Sequence, residues 1–156
     1  MNAKLSAAER SIIIVSSEFN ESIIKNLLQG AIDAFIHHGG KDSALQIHRV
    51  PGALEIPGTI QQIIKFHNPN AIVAIGAVIR GETPHFDFVA GESAKGLSEI
   101  SLISNIPIIN GILTTDNIKQ AEERSEPGGR NKGWDAMEAA LQTINVYQKI
   151  FSASKC

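Results

Sequence analysis

Cysteine, aromatic residues and long apolar runs are all scarce in this chain of 156 residues. Its one cysteine is the last residue, Cys156, so a disulfide within the chain is excluded and nothing indicates an oxidising compartment. Residues 1–10 are polar and lack the apolar core of a signal peptide, and no run approaches the ~18 apolar residues of a membrane span. We therefore expect a soluble, cytoplasmic protein with no membrane partner.

The chain also lacks an excess of positive charge, and its potential metal ligands are not spaced as in a metal site. The formal net charge is −2 and the pI is about 6.2, whereas a nucleic-acid-binding domain normally carries a basic stripe, so we expect no nucleic-acid partner. The five histidines show no metal-ligand spacing, and no Gly-x-Gly-x-x-Gly fingerprint is present. We expect neither a metal nor another cofactor.

What the chain does contain is an alternation of short apolar runs with amphipathic segments. Strands are predicted at residues 11–16, 44–50, 71–78 and 106–113, and helices at 21–38, 56–67, 86–104, 117–124 and 131–152. Thr115 or Asp116 is the predicted cap of the short fourth helix. This order predicts a single α/β domain over residues 1–156, with a parallel sheet covered by helices on both faces and a mobile segment at residues 1–10.

Ligands of such sheets bind beyond the carboxyl ends of the strands, which draws attention to the segment of residues 76–85. It runs from a strand through a loop into a helix, and it carries Thr83 and His85. Backbone N–H groups and a threonine hydroxyl at a helix start suit a phosphate. Histidine, whose ordinary pKa lies near neutral pH, suits proton transfer. The alternative is that Thr83 merely caps the helix and His85 is a surface residue.

Four other residues have both a functional and an ordinary interpretation. Glu55 follows a turn rich in proline and glycine; it could bind hydroxyl groups, or simply be a first-turn acid favoured by the helix dipole. Phe19 could meet a flat ligand or pack on its own helix. Arg124 and Lys132 flank a glycine-rich segment that lacks P-loop spacing. Arg124 could therefore be an ordinary cation at a helix end, and Lys132 could be a solvated side chain.

Taken together, these segments resemble the lumazine synthase family over about residues 11–147. The matching stretches are 19–20, 51–57, 76–89, 111–117, 123–124 and 131–133. The resemblance implies a flavodoxin-like, three-layer α/β/α fold with a four-stranded parallel sheet. It also implies a homopentamer with each active site between two subunits. The loop of residues 124–131 is as short as in members that form sixty-subunit shells, so larger, icosahedral assemblies stay open. Riboflavin synthase is a candidate partner.

The resemblance further implies a cofactor-free transferase of riboflavin biosynthesis, acting at the penultimate step. Its substrates would be 5-amino-6-(D-ribitylamino)uracil and 3,4-dihydroxy-2-butanone 4-phosphate. Its products would be 6,7-dimethyl-8-ribityllumazine, phosphate and water. Two other interpretations share the fold: a flavin- or nucleotide-binding module without turnover, and a purely structural shell protein.

By matched position, the resemblance assigns roles to residues on every candidate loop. Phe19 would stack on the pyrimidine, and His85 would transfer protons. The ribityl chain would be held by Ala53, Leu54 and Glu55. Backbone contacts to the ring would come from Ala77, Val78 and Ile79. The phosphate would be bound by Glu82, Thr83 and the Arg124 of a neighbouring subunit. Lys132 would lie near the site.

Two positions depart from the family pattern. Asn110 stands where members often carry a phenylalanine, and we expect it at the end of the fourth strand, facing the pyrimidine pocket of the adjacent subunit. Pro84 stands where threonine or alanine is usual; it stiffens the phosphate loop and removes one N–H donor. Gly91 and Gly96 disfavour the predicted third helix, which suggests close packing against another element such as a neighbouring subunit.

Overall fold

Four short strands form one sheet in a computed structural model that describes residues 5–154. The strands are β1 (Ile12–Ser17), β2 (Leu45–Val50), β3 (Ala71–Ile79) and β4 (Ile108–Thr115). All are parallel, in the order β2-β1-β3-β4. The central strands β1 and β3 are almost wholly buried, as strands covered on both faces should be. The predicted four-stranded parallel sheet is confirmed.

Five α-helices within residues 5–154 cover the sheet. They are α1 (Glu21–His37), α2 (Ile56–Phe66), α3 (His85–Ile103), α4 (Ile118–Glu123) and α5 (Lys132–Ala153). Helices α1 and α5 cover one face, and α2 and α3 cover the other. This confirms the predicted three-layer α/β/α architecture.

Side-chain alternation along β1 divides the core between the two layers. Ile12 and Ile14 point into the cluster beneath α1 and α5, whereas Ile13 and Val15 point into the cluster beneath α2 and α3. Each such fully buried side chain contributes about 1.5–3 kcal/mol relative to an exposed one. Burial on both faces therefore fixes the strand register, because a slip of one residue would exchange the two sets.

The start of β4 and the cap of α4 differ from the prediction. The strand begins after Pro107, whose carbonyl accepts from Ile72 N–H but whose own nitrogen cannot donate to a ladder. It then continues through Thr115, so this residue is buried in the sheet. The cap is Asn117, whose side chain accepts from Gln120 N–H at 2.8 Å. The predicted caps, Thr115 and Asp116, were therefore wrong.

The N-terminal segment and the helical glycines also have structural explanations. Ala7 is buried and its N–H donates to His38 O at 2.8 Å, so part of the segment predicted to be mobile packs on the end of α1. Gly96 lets α3 approach Pro57 of α2 within the same chain, which corrects the suggestion of a neighbouring subunit there. Around Gly91 there is open space among the described residues.

Two further expectations concern the chain ends and membranes. Residues 1–4 and Cys156 lie outside the described residues. Within residues 5–154, no helix is both long and apolar enough to cross a bilayer.

Candidate active site

A cleft of about 380 Å³ opens at the carboxyl edge of the sheet, where the segments after β1, β2 and β3 meet. Its volume lies within the range of about 300–1,000 Å³ usual for small-molecule sites. Its walls carry most of the residues assigned to substrate binding from the sequence, together with the predicted proton-transfer residue His85. They are Phe19, Ala53, Leu54, Glu55, Ala77, Val78, Ile79, Thr83 and His85.

Phe19 presents its ring to this cleft. Its side chain is 72% exposed, so the interpretation that it packs on its own helix does not hold. The next residue, Asn20, adopts a left-handed conformation with φ of 67° and donates from Nδ2 to Ala77 O at 3.0 Å. That hydrogen bond ties the loop after β1 to the end of β3. The aromatic ring is therefore held at the cleft by its backbone rather than by side-chain packing.

The segment from Gly52 to Glu55 forms a tight 3-10 turn beside the ring. Glu55 N–H donates to Gly52 O at 3.2 Å, and Thr59 Oγ1 donates to Glu55 O at 2.8 Å. The Glu55 carboxylate is exposed and has no hydrogen-bond or ion-pair partner among residues 5–154. It is therefore free to accept hydrogen bonds from ligand hydroxyl groups.

The floor of the cleft is the carboxyl end of β3. Pairing between β1 and β3 ends at Ser16 and Ile75, whereas pairing with β4 continues to Ile79 and Thr115. The backbone from Ala77 to Ile79 consequently has no strand partner on the β1 side. Its polar groups face the cleft edge, where Asn20 already uses one carbonyl.

The segment 81–85 forms the rim nearest α3, and all of its residues are exposed. No backbone N–H of residues 81–83 donates to any other described residue. The N–H of His85 is instead taken by Thr83 Oγ1 at 3.4 Å. Free N–H donors next to the N-terminus of a 19-residue helix favour an anion. Glu82 lies within this rim, but its side chain does not line the cleft.

His85 is the first residue of α3 and faces the cleft. Its ring has no hydrogen-bond partner in the described part of the chain. An imidazole without an internal partner can exchange protons with a ligand. The same helix contributes Phe86 and Val89 to the wall. Neither had a role predicted from the sequence, although their three-residue spacing places both on one helix face.

Arg124 and Lys132 lie elsewhere, in a separate depression of about 280 Å³ beside β4. Lys132 N–H donates to Arg124 O at 2.9 Å, which holds the two residues together. Arg130, to which the sequence analysis gave no role, lines the same depression. None of these three cations forms an ion pair within residues 5–154. A single chain therefore does not bring them to His85.

Asn110 is likewise outside the cleft, and its predicted place was wrong in one respect. It is the third residue of the edge strand β4, not a residue at its end. Its side chain lies in a groove with Leu102 and Ile108. Its Oδ1 already accepts from Ile112 N–H at 2.9 Å, so part of its hydrogen-bonding capacity is used within its own strand.

Within the described part of the chain, no three His, Cys, Asp or Glu residues are grouped so as to hold a metal ion.

Comparison with known proteins identifies the family. Residues 9–148 match the family model described as 6,7-dimethyl-8-ribityllumazine synthase. Curated proteins of that name are similar along nearly their whole length. The protein from Helicobacter hepaticus is 45% identical over 142 residues, which cover 91% of each chain. The protein from Campylobacter lari is 44% identical with the same coverage, and that from Chlorobium limicola is 39% identical over 96% of each chain. The chain therefore belongs to the 6,7-dimethyl-8-ribityllumazine synthase family, enzymes of the transferase class that act in riboflavin biosynthesis.

Proposed function

We propose that this enzyme condenses 5-amino-6-(D-ribitylamino)uracil with 3,4-dihydroxy-2-butanone 4-phosphate to give 6,7-dimethyl-8-ribityllumazine, phosphate and water, the penultimate step of riboflavin biosynthesis. The observation that carries the proposal is the cleft itself. One edge of it offers an exposed aromatic ring, another a free carboxylate and a third a set of free N–H groups beside a histidine. These match a flat heterocycle, a polyhydroxylated chain and a phosphorylated ketone.

The pyrimidine substrate lies against Phe19. Stacking on an exposed ring adds about 0.5–1.5 kcal/mol beyond simple burial. The backbone from Ala77 to Ile79, which has no strand partner on its β1 side, meets the polar edges of the pyrimidine. Its ribityl hydroxyls reach the turn of residues 53–55, where the Glu55 carboxylate accepts from them. Ala53 and Leu54 form the wall along the chain.

The phosphorylated ketone lies on the rim of residues 81–85. Its phosphate accepts from the free N–H groups of residues 81–83 and from the Thr83 hydroxyl. Arg124 of a neighbouring subunit supplies the charge, with Lys132 close to it in the same depression. Guanidinium groups suit this task because they bind phosphate through two hydrogen bonds at once.

His85 carries the protons of the reaction. The pyrimidine amine attacks the ketone, and loss of one water gives an imine. Proton transfer then allows phosphate to leave, and attack by the ribitylamino nitrogen closes the ring with loss of a second water. Each step moves a proton, which one imidazole at the cleft can accept and return. Holding both substrates together also lowers the activation free energy, by up to about 7–11 kcal/mol in ideal geometry.

A second copy of the chain completes this site. His85 and Arg124 line separate depressions of one chain, so a single phosphate meets both only across an interface. Large apolar side chains are available to form one: Leu102 is 86% exposed and Ile103 is 80% exposed. We propose a homopentamer in the cytoplasm, with a sixty-subunit shell as the alternative and riboflavin synthase as a candidate partner. Light scattering at micromolar concentration tests this, and a monomer of 16.8 kDa would contradict both the pentamer and the shared site.

One assay tests the reaction. Purified protein is mixed with the two substrates, and the absorbance and fluorescence of the lumazine product are followed against a protein-free control. Saturable turnover supports the proposal. Flavin that copurifies in stoichiometric amounts without turnover would identify a flavin-binding module, and assembly without binding of either substrate would identify a structural shell protein.

A further inference from the structure

Arg80, the residue that follows β3, makes a set of contacts that the proposed chemistry does not use. Its Nε donates to Asp116 Oδ1 at 3.0 Å, and one terminal nitrogen lies 3.6 Å from Asp87 Oδ1. Its guanidinium carbon sits 4.5 Å from the centroid of the Phe86 ring. Its backbone N–H donates to Thr115 O at 2.9 Å. One side chain thus joins the end of β3, the first turn of α3 and the loop after β4.

These contacts flank residues 81–85, a segment that few other interactions hold in place. All residues from Gly81 to His85 are exposed, and no backbone N–H of residues 81–83 bonds to another described residue. Phe86, by contrast, is half-buried and packs against the core beneath α2 and α3. Arg80 links this anchored ring to the loop after β4.

We propose that Arg80 is a positioning residue that fixes the phosphate-binding segment 81–85 by stacking on Phe86 and pairing with Asp87 and Asp116. This role rests on the proposed function, which assigns Thr83 to the phosphate and His85 to proton transfer. Planarity is essential to it, because stacking and two-sided pairing both need the guanidinium plane, which lysine lacks. Direct binding of the substrate phosphate by Arg80 is disfavoured, since two carboxylates already face its single positive charge.

The test uses three variants and one matched control in steady-state assays. Arg80→Met keeps the apolar stem and removes the guanidinium, Arg80→Lys keeps the charge, and Asp116→Asn removes one carboxylate. Arg10→Met is the control, because Arg10 is another arginine with a side-chain hydrogen bond, to Gln148 at 3.0 Å, and it does not line the cleft. A displaced phosphate-binding segment weakens its charge-assisted hydrogen bonds to the phosphate. We therefore expect KM for the butanone phosphate to rise about fivefold or more in Arg80→Met and Arg80→Lys.

Asp116→Asn should also raise KM for the butanone phosphate. In the double variant Arg80→Met/Asp116→Asn this KM should be no higher than in Arg80→Met alone. KM for the pyrimidine should change less than about twofold in all of them. Near-normal kinetics in Arg80→Lys, or an unchanged or lower KM in Asp116→Asn, would instead indicate direct anion binding by Arg80 and overturn the proposal.

Amide hydrogen exchange tests the same role without any turnover. Asp87 and Phe88 N–H both donate to Pro84 O, at 3.1 and 3.4 Å, and so report on how firmly the segment is held. Their exchange should be several-fold faster in Arg80→Met and unchanged in Arg10→Met. Equal exchange in wild type and Arg80→Met would overturn the positioning role. A wild-type protein that fails to convert the two substrates would refute the proposed function alone, because the exchange measurement would still be decisive for Arg80.

Discussion

Replacing Phe19 with alanine removes the one aromatic ring that projects from the loop after β1 into the cleft. Because the side chain is already 72% exposed, its removal sacrifices little burial, and we expect the melting temperature to fall by no more than about 2 °C. The cost in binding is larger. Loss of stacking worth about 0.5–1.5 kcal/mol corresponds to about a two- to thirteenfold weaker affinity for the pyrimidine.

The chain provides a matched control in Phe66, which is 76% exposed at the end of α2 and does not line the cleft. Both variants would be assayed by varying each substrate in turn at saturation of the other. Phe19→Ala should raise KM for the pyrimidine and leave that for the butanone phosphate within about twofold, whereas Phe66→Ala should change neither. Phe19→Trp should retain most of the affinity. Equal increases in both KM values, or none in either, would refute the assigned stacking.

The other expected outcomes concern the phosphate, the protons and the departure from the family pattern. Arg124→Ala removes a charge-assisted hydrogen bond worth about 1.5–3 kcal/mol, so KM for the butanone phosphate should rise about tenfold or more; an equal rise for the pyrimidine would show that the assignment is wrong. His85→Ala should lower kcat about tenfold to a hundredfold; an unchanged kcat would exclude His85 as the proton carrier. Asn110→Phe should tighten binding of a ribityl-pyrimidine analogue a few-fold in calorimetric titration, and weaker binding would indicate a direct hydrogen bond from the amide. Asn110→Ala should leave that binding nearly unchanged but lower the free energy of unfolding by about 1 kcal/mol, measured by urea titration, because Ile112 N–H loses its acceptor.

The elements predicted from the sequence agree best with the structure where a short segment of the chain determines the local fold. The run that becomes β3 was predicted to within one residue, because a continuous apolar run rich in β-branched residues favours a buried strand regardless of what lies far away. β4 was misplaced by two residues, since the apolar pattern around Pro107 does not reveal which backbone groups pair. Similarly, the cap of α4 is Asn117 rather than its neighbours, because Thr115 is claimed by the sheet.

Some features of the candidate site were likewise predictable from the sequence, and others were not. The rule for parallel sheets predicted that the loops after the strands bind the ligands, and three of those loops meet in one cleft. No local pattern indicated that Asn110 would use its amide oxygen within its own strand. Nor did it indicate that Arg124 and Lys132 would lie in a depression apart from His85.

Taken by itself, the sequence determined the class of fold, the four strands and the loops that bear the chemistry, because apolar periodicity and turn residues act within a few positions of one another. Only the tertiary structure decided which distant groups meet. Asn20 reaches Ala77 across 57 positions, and Arg80 reaches Asp116 across 36. The physical reason is that such hydrogen bonds depend on the sheet order and on the packing of the helices, which no local segment of the chain contains.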